Sequence, residues 1–210
     1  MKVVEIFNSI EGEGKRAGLP CTFIRLYGCN LNCSYCDSRY ACEDSFYTVM
    51  SIREILDAVE NYGCHRITVT GGEPLIHPGI EDLLSTLRKQ GYQVNVETNG
   101  SQVPQVVGVT YTVDFKTFSS GMSEYMNPKA FQVLTEDDVI KFVVGTHEDL
   151  NQALEFMEKS KCQAQIFISP VFGKIEAKEI VEYIQNHKLW NWRVQLQMHK
   201  FIWNPEERGV

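Results

Sequence analysis

Apolar residues recur along this chain with two alternating periods. Thr22-Phe23-Ile24-Arg25-Leu26 has the compact β-branched and aromatic run of a strand, and Ile67-Thr68-Val69 and Val94-Asn95-Val96 repeat it at shorter length. Between them the spacing lengthens to that of helices. Ile52, Ile55, Leu56 and Val59 form one stripe, and Ile80, Leu83, Leu84 and Leu87 form a second. Ser51 followed by Glu54 opens the first helix as a capping box and Gly63 ends it, while Gly91 closes the second. Strands at 109–113, 139–144, 166–168 and 194–196, with helices over 150–157 and 177–184, continue the series.

Strands separated by helix-length connections predict a parallel sheet, because a parallel pair needs a long crossover. About six such strands fall short of a closed eight-stranded barrel. The pattern therefore predicts an α/β fold, an incomplete (partial) TIM-type barrel of about six parallel strands with outer helices, open on one side. The polar and glycine-rich segments fall just after strands: the 28–39 loop, Gly71-Gly72-Glu73-Pro74, Glu97-Thr98-Asn99-Gly100, Asp114-Phe115-Lys116 and Ser169-Pro170. Sites gather at that end of such sheets. No linker, low-complexity tract or repeat interrupts the chain, so residues 1–210 read as a single domain.

Charge and cysteine usage narrow the chemistry. With 20 basic against 27 acidic side chains and a net charge of -7, the chain lacks the electrostatic footprint of a nucleic-acid binder. A small-molecule partner is expected. No run of about 18 apolar residues and no secretory h-region appear, which predicts a soluble, cytoplasmic protein with no membrane partner. Three of the seven cysteines crowd into Cys29-Asn-Leu-Asn-Cys33-Ser-Tyr-Cys36, a spacing that suits a metal or redox centre better than disulfides. Three thiolates holding a four-iron cluster leave one iron open to a ligand with an amine and a carboxylate. The alternative is structural zinc with Cys21, Cys42 or a histidine as fourth ligand. Cys64 and Cys162, with Cys21 and Cys42, otherwise read as free thiols.

Cys29, Cys33, Tyr35 and Cys36 resemble the Cys-x-x-x-Cys-x-aromatic-Cys signature of the radical S-adenosylmethionine (SAM) superfamily, and Gly71-Gly72-Glu73-Pro74 resembles its second motif. The resemblance implies a 4Fe-4S cluster on Cys29, Cys33 and Cys36, with SAM chelating the open iron and yielding a 5'-deoxyadenosyl radical. It assigns Tyr35, Asp37, Gly71, Gly72, Glu73, Glu97, Asp114, Lys116 and Ser169 to SAM. Glycines permit close backbone approach and a carboxylate accepts from an ammonium.

The segment from Glu5 to Gly14, then Phe23-Ile24-Arg25 and Gly28-Cys29-Asn30, and at the far end Leu196 to Lys200 and Glu207 to Val210, resemble the 7-carboxy-7-deazaguanine synthase family over nearly the whole chain. The resemblance implies conversion of 6-carboxy-5,6,7,8-tetrahydropterin to 7-carboxy-7-deazaguanine with loss of ammonia, a step toward queuosine and other 7-deazapurines. It implies magnesium, an external flavodoxin- or ferredoxin-like electron donor and a homodimer, with Val3 to Phe7 and Trp190-Asn191-Trp192 as candidate contacts. Ile10, Glu11, Gly12, Arg25, Thr70 and the terminal carboxylate of Val210 are the implied substrate contacts, and residues 190–210 close the site. Glu11 stands where many relatives have Gln. Ser38 stands where the magnesium ligand is usually Thr, keeping the hydroxyl without the methyl that stiffens its rotamer.

Arg25 makes a physical case of its own. A guanidinium in an apolar strand needs a carboxylate, which either a substrate or one of Glu11, Glu13 and Glu97 would supply. His199 reads as a packed or capping residue. The competing function is a small activating enzyme that installs a glycyl radical on a partner protein, which would share the cysteine loop.

Overall fold

The computed structural model describes residues 1–43, 46–204 and 207–209. Among these, nine strands form one open sheet in the order β3-β1-β2-β4-β5-β6-β7-β8-β9. Seven of them run parallel, one for each strand run read from the hydrophobic pattern and so at the upper end of the expected count of about six: β2 (Pro20–Leu26), β4 (Arg66–Gly71), β5 (Gln93–Thr98), β6 (Thr110–Phe115), β7 (Val139–Val144), β8 (Gln165–Pro170) and β9 (Trp192–Val194). β1 (Lys2–Ile10) pairs antiparallel with β2, and the short β3 (Thr48–Val49) pairs antiparallel with β1. β9 lies two residues before the expected 194–196. Trp192 anchors it, buried and stacked on Phe142 at 6.2 Å, so Trp192 is not a surface contact residue.

The helices form where their caps dictate. α1 (Ile52–Glu60) opens on the Ser51/Glu54 capping box, and buries Ile55 and Val59. α2 (Ile80–Lys89) buries Ile80, Leu83, Leu84 and Leu87. After the five-residue α3 (Pro128–Gln132), α4 (His147–Lys159) starts three residues earlier than its apolar stripe suggests, because Thr146 and Asp149 make a second capping box. α5 (Ala177–Asn186) and the single turn α6 (His199–Ile202) complete the chain. No described helix separates β5 from β6; the connection 99–109 is a loop, and strict strand-helix alternation fails there. No described helix is long and apolar enough to cross a membrane.

Strand alternation sorts the side chains. Ile24, Val69, Val96, Val113, Phe142 and Ile168 all enter one buried core with the helix stripes. Their immediate neighbours Arg25, Thr70, Glu97, Asp114 and Lys141 instead line clefts on the other side. Register aligns Arg25 with Thr70 and Asp114 with Lys141 across adjacent strands. The polar positions thus form a continuous surface that the helices do not cover.

Candidate active site

Two adjoining clefts, of about 320 and 150 Å³, open on the polar side of the sheet. Glu13, Asp37, Ser38, Thr70, Glu97 and Lys200 line both and so form their common wall. All three clustered cysteines line the larger cleft. Their loop is held by backbone contacts: Gly28 N donates to Ala41 O (2.9 Å), Ser34 N to Ser120 O (3.0 Å), and Arg39 Nη2 to Cys33 O (2.9 Å). The Gly71-Gly72 pair fits against this loop. A Cβ on Gly71 would lie 2.1 Å from Leu26 O, and one on Gly72 would lie 2.1 Å from Gly28 O, so the glycines serve a backbone-to-backbone approach.

The donor set fits a four-iron cluster. Among the described residues no three His, Cys, Asp or Glu side chains converge on one point for a single ion, so the convergent tetrahedral set of closed zinc is missing. Three thiols of one loop lining one cleft are the donors, in type and number, that a four-iron cluster with one open iron takes. The Cys29 thiol is shifted toward ionisation. The Cys42 thiol donates to its sulfur and draws its pKa down to about 6 against the opposing effect of burial, aided by Leu31 N (3.4 Å) and Asn99 Nδ2 (3.6 Å). Cys42 is therefore a neighbour of the cluster loop and lines the same cleft, while Cys21 lies apart, buried against Thr68.

Around the larger cleft stand Tyr35, Asp37, Asp114 and Lys116. Tyr35 donates to Val143 O (3.2 Å), and burial pushes its phenol up to about 12. Lys116 Nζ donates to Asp114 Oδ2 (2.8 Å). Lys141 Nζ lies 3.1 Å from Asp114 Oδ1 and donates to Glu13 Oε1 (2.6 Å). Burial alone would raise the Asp114 carboxyl, but the two ammonium groups beside it hold it below the ordinary carboxylate range. Asp37 is likewise lowered, burial being outweighed by Lys200 at 3.2 Å and by Lys141.

Two motif carboxylates do not reach the clefts. Glu73 is fully buried, and its oxygens accept from Leu75 N (2.9 Å), Thr98 Oγ1 (2.7 Å) and Asn99 N (2.6 Å), so it ties the end of β4 to the end of β5. Burial pushes its carboxyl up to about 7 despite those bonds. Glu11 is also buried: it accepts from Thr68 Oγ1 and pairs with Arg16 at 3.5 Å. Its backbone N–H and C=O are engaged by Leu19 and Gly18. Ser169 lies fully buried on β8 with no hydrogen-bond partner for Oγ among the described residues, and it does not line either cleft.

The smaller cleft gathers Ile10, Gly12, Arg25 and His199 with the common wall. Arg25 finds its carboxylate on none of Glu11, Glu13 and Glu97 but on Glu5 of the adjoining strand, donating from Nε at 2.7 Å. Its guanidinium lies by the rings of Phe7 and Tyr40, with centroid distances of 5.6 and 5.7 Å. Thr70 donates to Glu97 Oε2 (2.8 Å), and burial pushes the Glu97 carboxyl up to about 7 against the pull of Lys141. Ser38 Oγ lies 3.5 Å from Gly71 O. The C-terminal segment covers this cleft: Gln195 grips both backbone groups of Gly14 (2.6 and 3.0 Å), and Met198 N donates to Gly12 O (2.9 Å). His199 packs where any Cβ on Gly12 would stand, 2.1 Å from Nδ1. Val210 lies outside the described residues.

Residues 23–130 match the family model of the radical SAM superfamily. Over its full length the chain is 42% identical to the 7-carboxy-7-deazaguanine synthase of Clostridium acetobutylicum and covers 99% of that protein. The chain belongs to the 7-carboxy-7-deazaguanine synthase family. The synthase of Methanospirillum hungatei is 39% identical across 98% of this chain and 86% of its own length. The crystal structure of QueE from Escherichia coli shares the fold, with a TM-score of 0.78 at 24% identity and 94% coverage of both chains. The fold is thus the partial barrel of the radical SAM enzymes, which work with a 4Fe-4S cluster and SAM, and the family's reaction belongs to queuosine biosynthesis.

Within this synthase fold, sequence reasoning missed Lys141 as a cleft residue and gave no individual site role to Asn99 or Lys200, while it read Glu13 only as a possible partner of Arg25, Cys42 as a candidate zinc ligand or free thiol and His199 as a packed or capping residue. For Lys141 the signal was present: it is a lone cation in the apolar run Val139-Ile140-Lys141-Phe142-Val143, the same anomaly that marks Arg25.

Proposed function

We propose that the chain converts 6-carboxy-5,6,7,8-tetrahydropterin to 7-carboxy-7-deazaguanine with release of ammonia, its two clefts holding SAM and the pterin side by side. The single observation that supports this reading is the shared wall of Thr70, Ser38 and Glu97, across which ligands in the two clefts would lie side by side. Proximity of that kind is what a hydrogen transfer between bound molecules requires.

Cys29, Cys33 and Cys36 hold the cluster, and Tyr35, Asp37, Asp114 and Lys116 line the SAM half. The chemistry these groups supply when bound is a 5'-deoxyadenosyl radical able to take hydrogen from the carbon bearing the pterin carboxylate. The protein's own part is to bind, orient and exclude water. Arg25, with Nε on Glu5, offers its remaining donors to the substrate carboxylate, and Ile10 and Gly12 border the ring. Ser38, on the common wall, offers magnesium one hydroxyl, leaving its other positions to water and substrate oxygens. Glu97, with its carboxyl near 7, holds or yields a proton next to the pterin. The described part of the C-terminal segment closes the site, with Gln195 and Met198 fastening the cover. The chain acts as one domain, in the cytoplasm, as a homodimer fed by a flavodoxin- or ferredoxin-like donor.

Anaerobic reconstitution followed by reductant, SAM, magnesium and 6-carboxytetrahydropterin tests the reading. A preparation with about four irons per chain is expected to form 7-carboxy-7-deazaguanine. A cluster-replete sample that forms none overturns it.

A further inference from the structure

Lys141 lines the larger cleft and is paired there with carboxylates from two separate parts of the site. The residue is only 4% exposed, and charge at that depth persists only where partners offset its lost hydration. It has two carboxylates. One, Glu13, comes from the loop after β1 beside Ile10 and Gly12; the other, Asp114, sits next to it across the β6–β7 register and carries Lys116 on its second oxygen. Charges alternate along the row Glu13, Lys141, Asp114, Lys116. Gln197 of the C-terminal cover continues the row, donating from Nε2 to Glu13 Oε2 at 3.3 Å.

Removal of the ammonium would leave two partly buried carboxylates facing one gap, with Glu97 a third nearby. Like charges in that position repel, or one of them takes up a proton. Either response changes the position or the charge of Glu13, beside the pterin-side loop, and of Asp114 on the SAM side.

We propose that Lys141 is a positioning residue shared by both halves of the site, one side chain that sets the pterin-side loop through Glu13 and the SAM-side strand through Asp114. This rests on the assignment of the larger cleft to SAM and the smaller to the pterin. In this role Lys141 acts through Glu13 and Asp114 rather than on the reacting atoms. Its loss therefore weakens binding of both ligands and leaves the rate at saturation largely intact.

The test is calorimetric binding of SAM, and separately of 6-carboxytetrahydropterin in the presence of SAM, to anaerobically reconstituted enzyme, with kcat and KM measured alongside. Lys141→Met is expected to weaken each ligand about tenfold or more, as loss of one member of a buried charge pair does. Its kcat should stay within about fivefold, an effect small on the transition-state scale, and Lys141→Arg should recover most of both affinities. Normal affinity for both ligands, or loss of only one, in a folded and cluster-replete Lys141→Met protein overturns the proposal. If that variant does not fold, Glu13→Gln and Glu13→Gln/Lys141→Met take its place, since the double variant removes the uncompensated charge on Glu13. SAM affinity should then fall about tenfold between the single and the double variant, and equal affinity overturns the proposal. Wild-type protein that binds neither ligand would count against the assignment of the clefts themselves, a result distinct from any difference between variants.

Discussion

On the helix-covered side of the sheet, Ile24, Val69, Val96, Val113 and Phe142 meet α1, α2, α4 and α5 in a closed apolar core. Immediately adjacent in the same strands, Arg25, Thr70, Glu97, Asp114 and Lys141 meet the clefts. The period of two in a strand thus assigns stability and chemistry to alternate residues of the same segments. Neighbours in sequence should therefore fail in different ways when changed. The cleft side is also the costly one: its charges are buried, and each is held by a specific opposite partner such as Glu5 for Arg25 or Lys116 for Asp114.

The sharpest contrast is at the cysteine loop. Cys33→Ala should reduce iron from about four per chain to a small residue and abolish product, since two thiolates do not secure a four-iron cluster. Iron analysis and an anaerobic product assay check this, and the cluster-free chain should melt near the wild-type temperature. On the opposite face, Leu84→Ala should cost about 2–5 kcal/mol in denaturant unfolding, because Leu84 is fully buried in α2. Its SAM affinity, measured well below the unfolding transition, should be unchanged; a parallel loss of affinity would break the division between faces.

Glu73 sharpens the comparison because it is a motif residue that acts as structure. Its folded pKa of about 7 exceeds the unfolded value, so its contribution to stability is full at low pH and is lost as pH rises through 7. Glu73→Gln should remove that slope. Relative to this variant, the cluster-free wild type should lose roughly 3 kcal/mol of stability between acid and alkaline conditions, from about 1.4 kcal/mol per pKa unit, as read by denaturant titrations across pH. The smallest effect belongs to Ser38→Ala, a half-exposed position at the common wall: stability within about 0.5 kcal/mol, and a magnesium requirement raised about tenfold in steady-state assays.

Local features of the fold and site are legible in the amino-acid sequence. The Ser51/Glu54 box, the two helix stripes and the cysteine spacing are patterns of near neighbours, and each occurs as read. What escapes such reading depends on partners distant along the chain. β1 and β3 pair antiparallel through contacts with β2 and β1, and the Glu5 that meets Arg25 lies 20 residues earlier in the chain. Motif identity also says nothing about where a side chain points. Glu11 and Glu13 are two residues apart, yet Glu11 turns to Thr68 and Arg16 while Glu13 turns to Lys141 and both clefts. Glu73 invites assignment to a ligand ammonium, but Thr98 and Asn99, which come from β5 and the loop after it, occupy its oxygens.

Val96 and Glu97 are adjacent in β5 and face opposite ways, which makes them the most direct test of the division between faces. The measurement is kcat/KM for the pterin in reconstituted Val96→Ala and Glu97→Gln enzymes, well below either unfolding transition. Val96→Ala is expected to remain within about twofold of wild type and Glu97→Gln to fall by about tenfold or more. Equal losses in the two variants, or full activity in Glu97→Gln, would contradict the account.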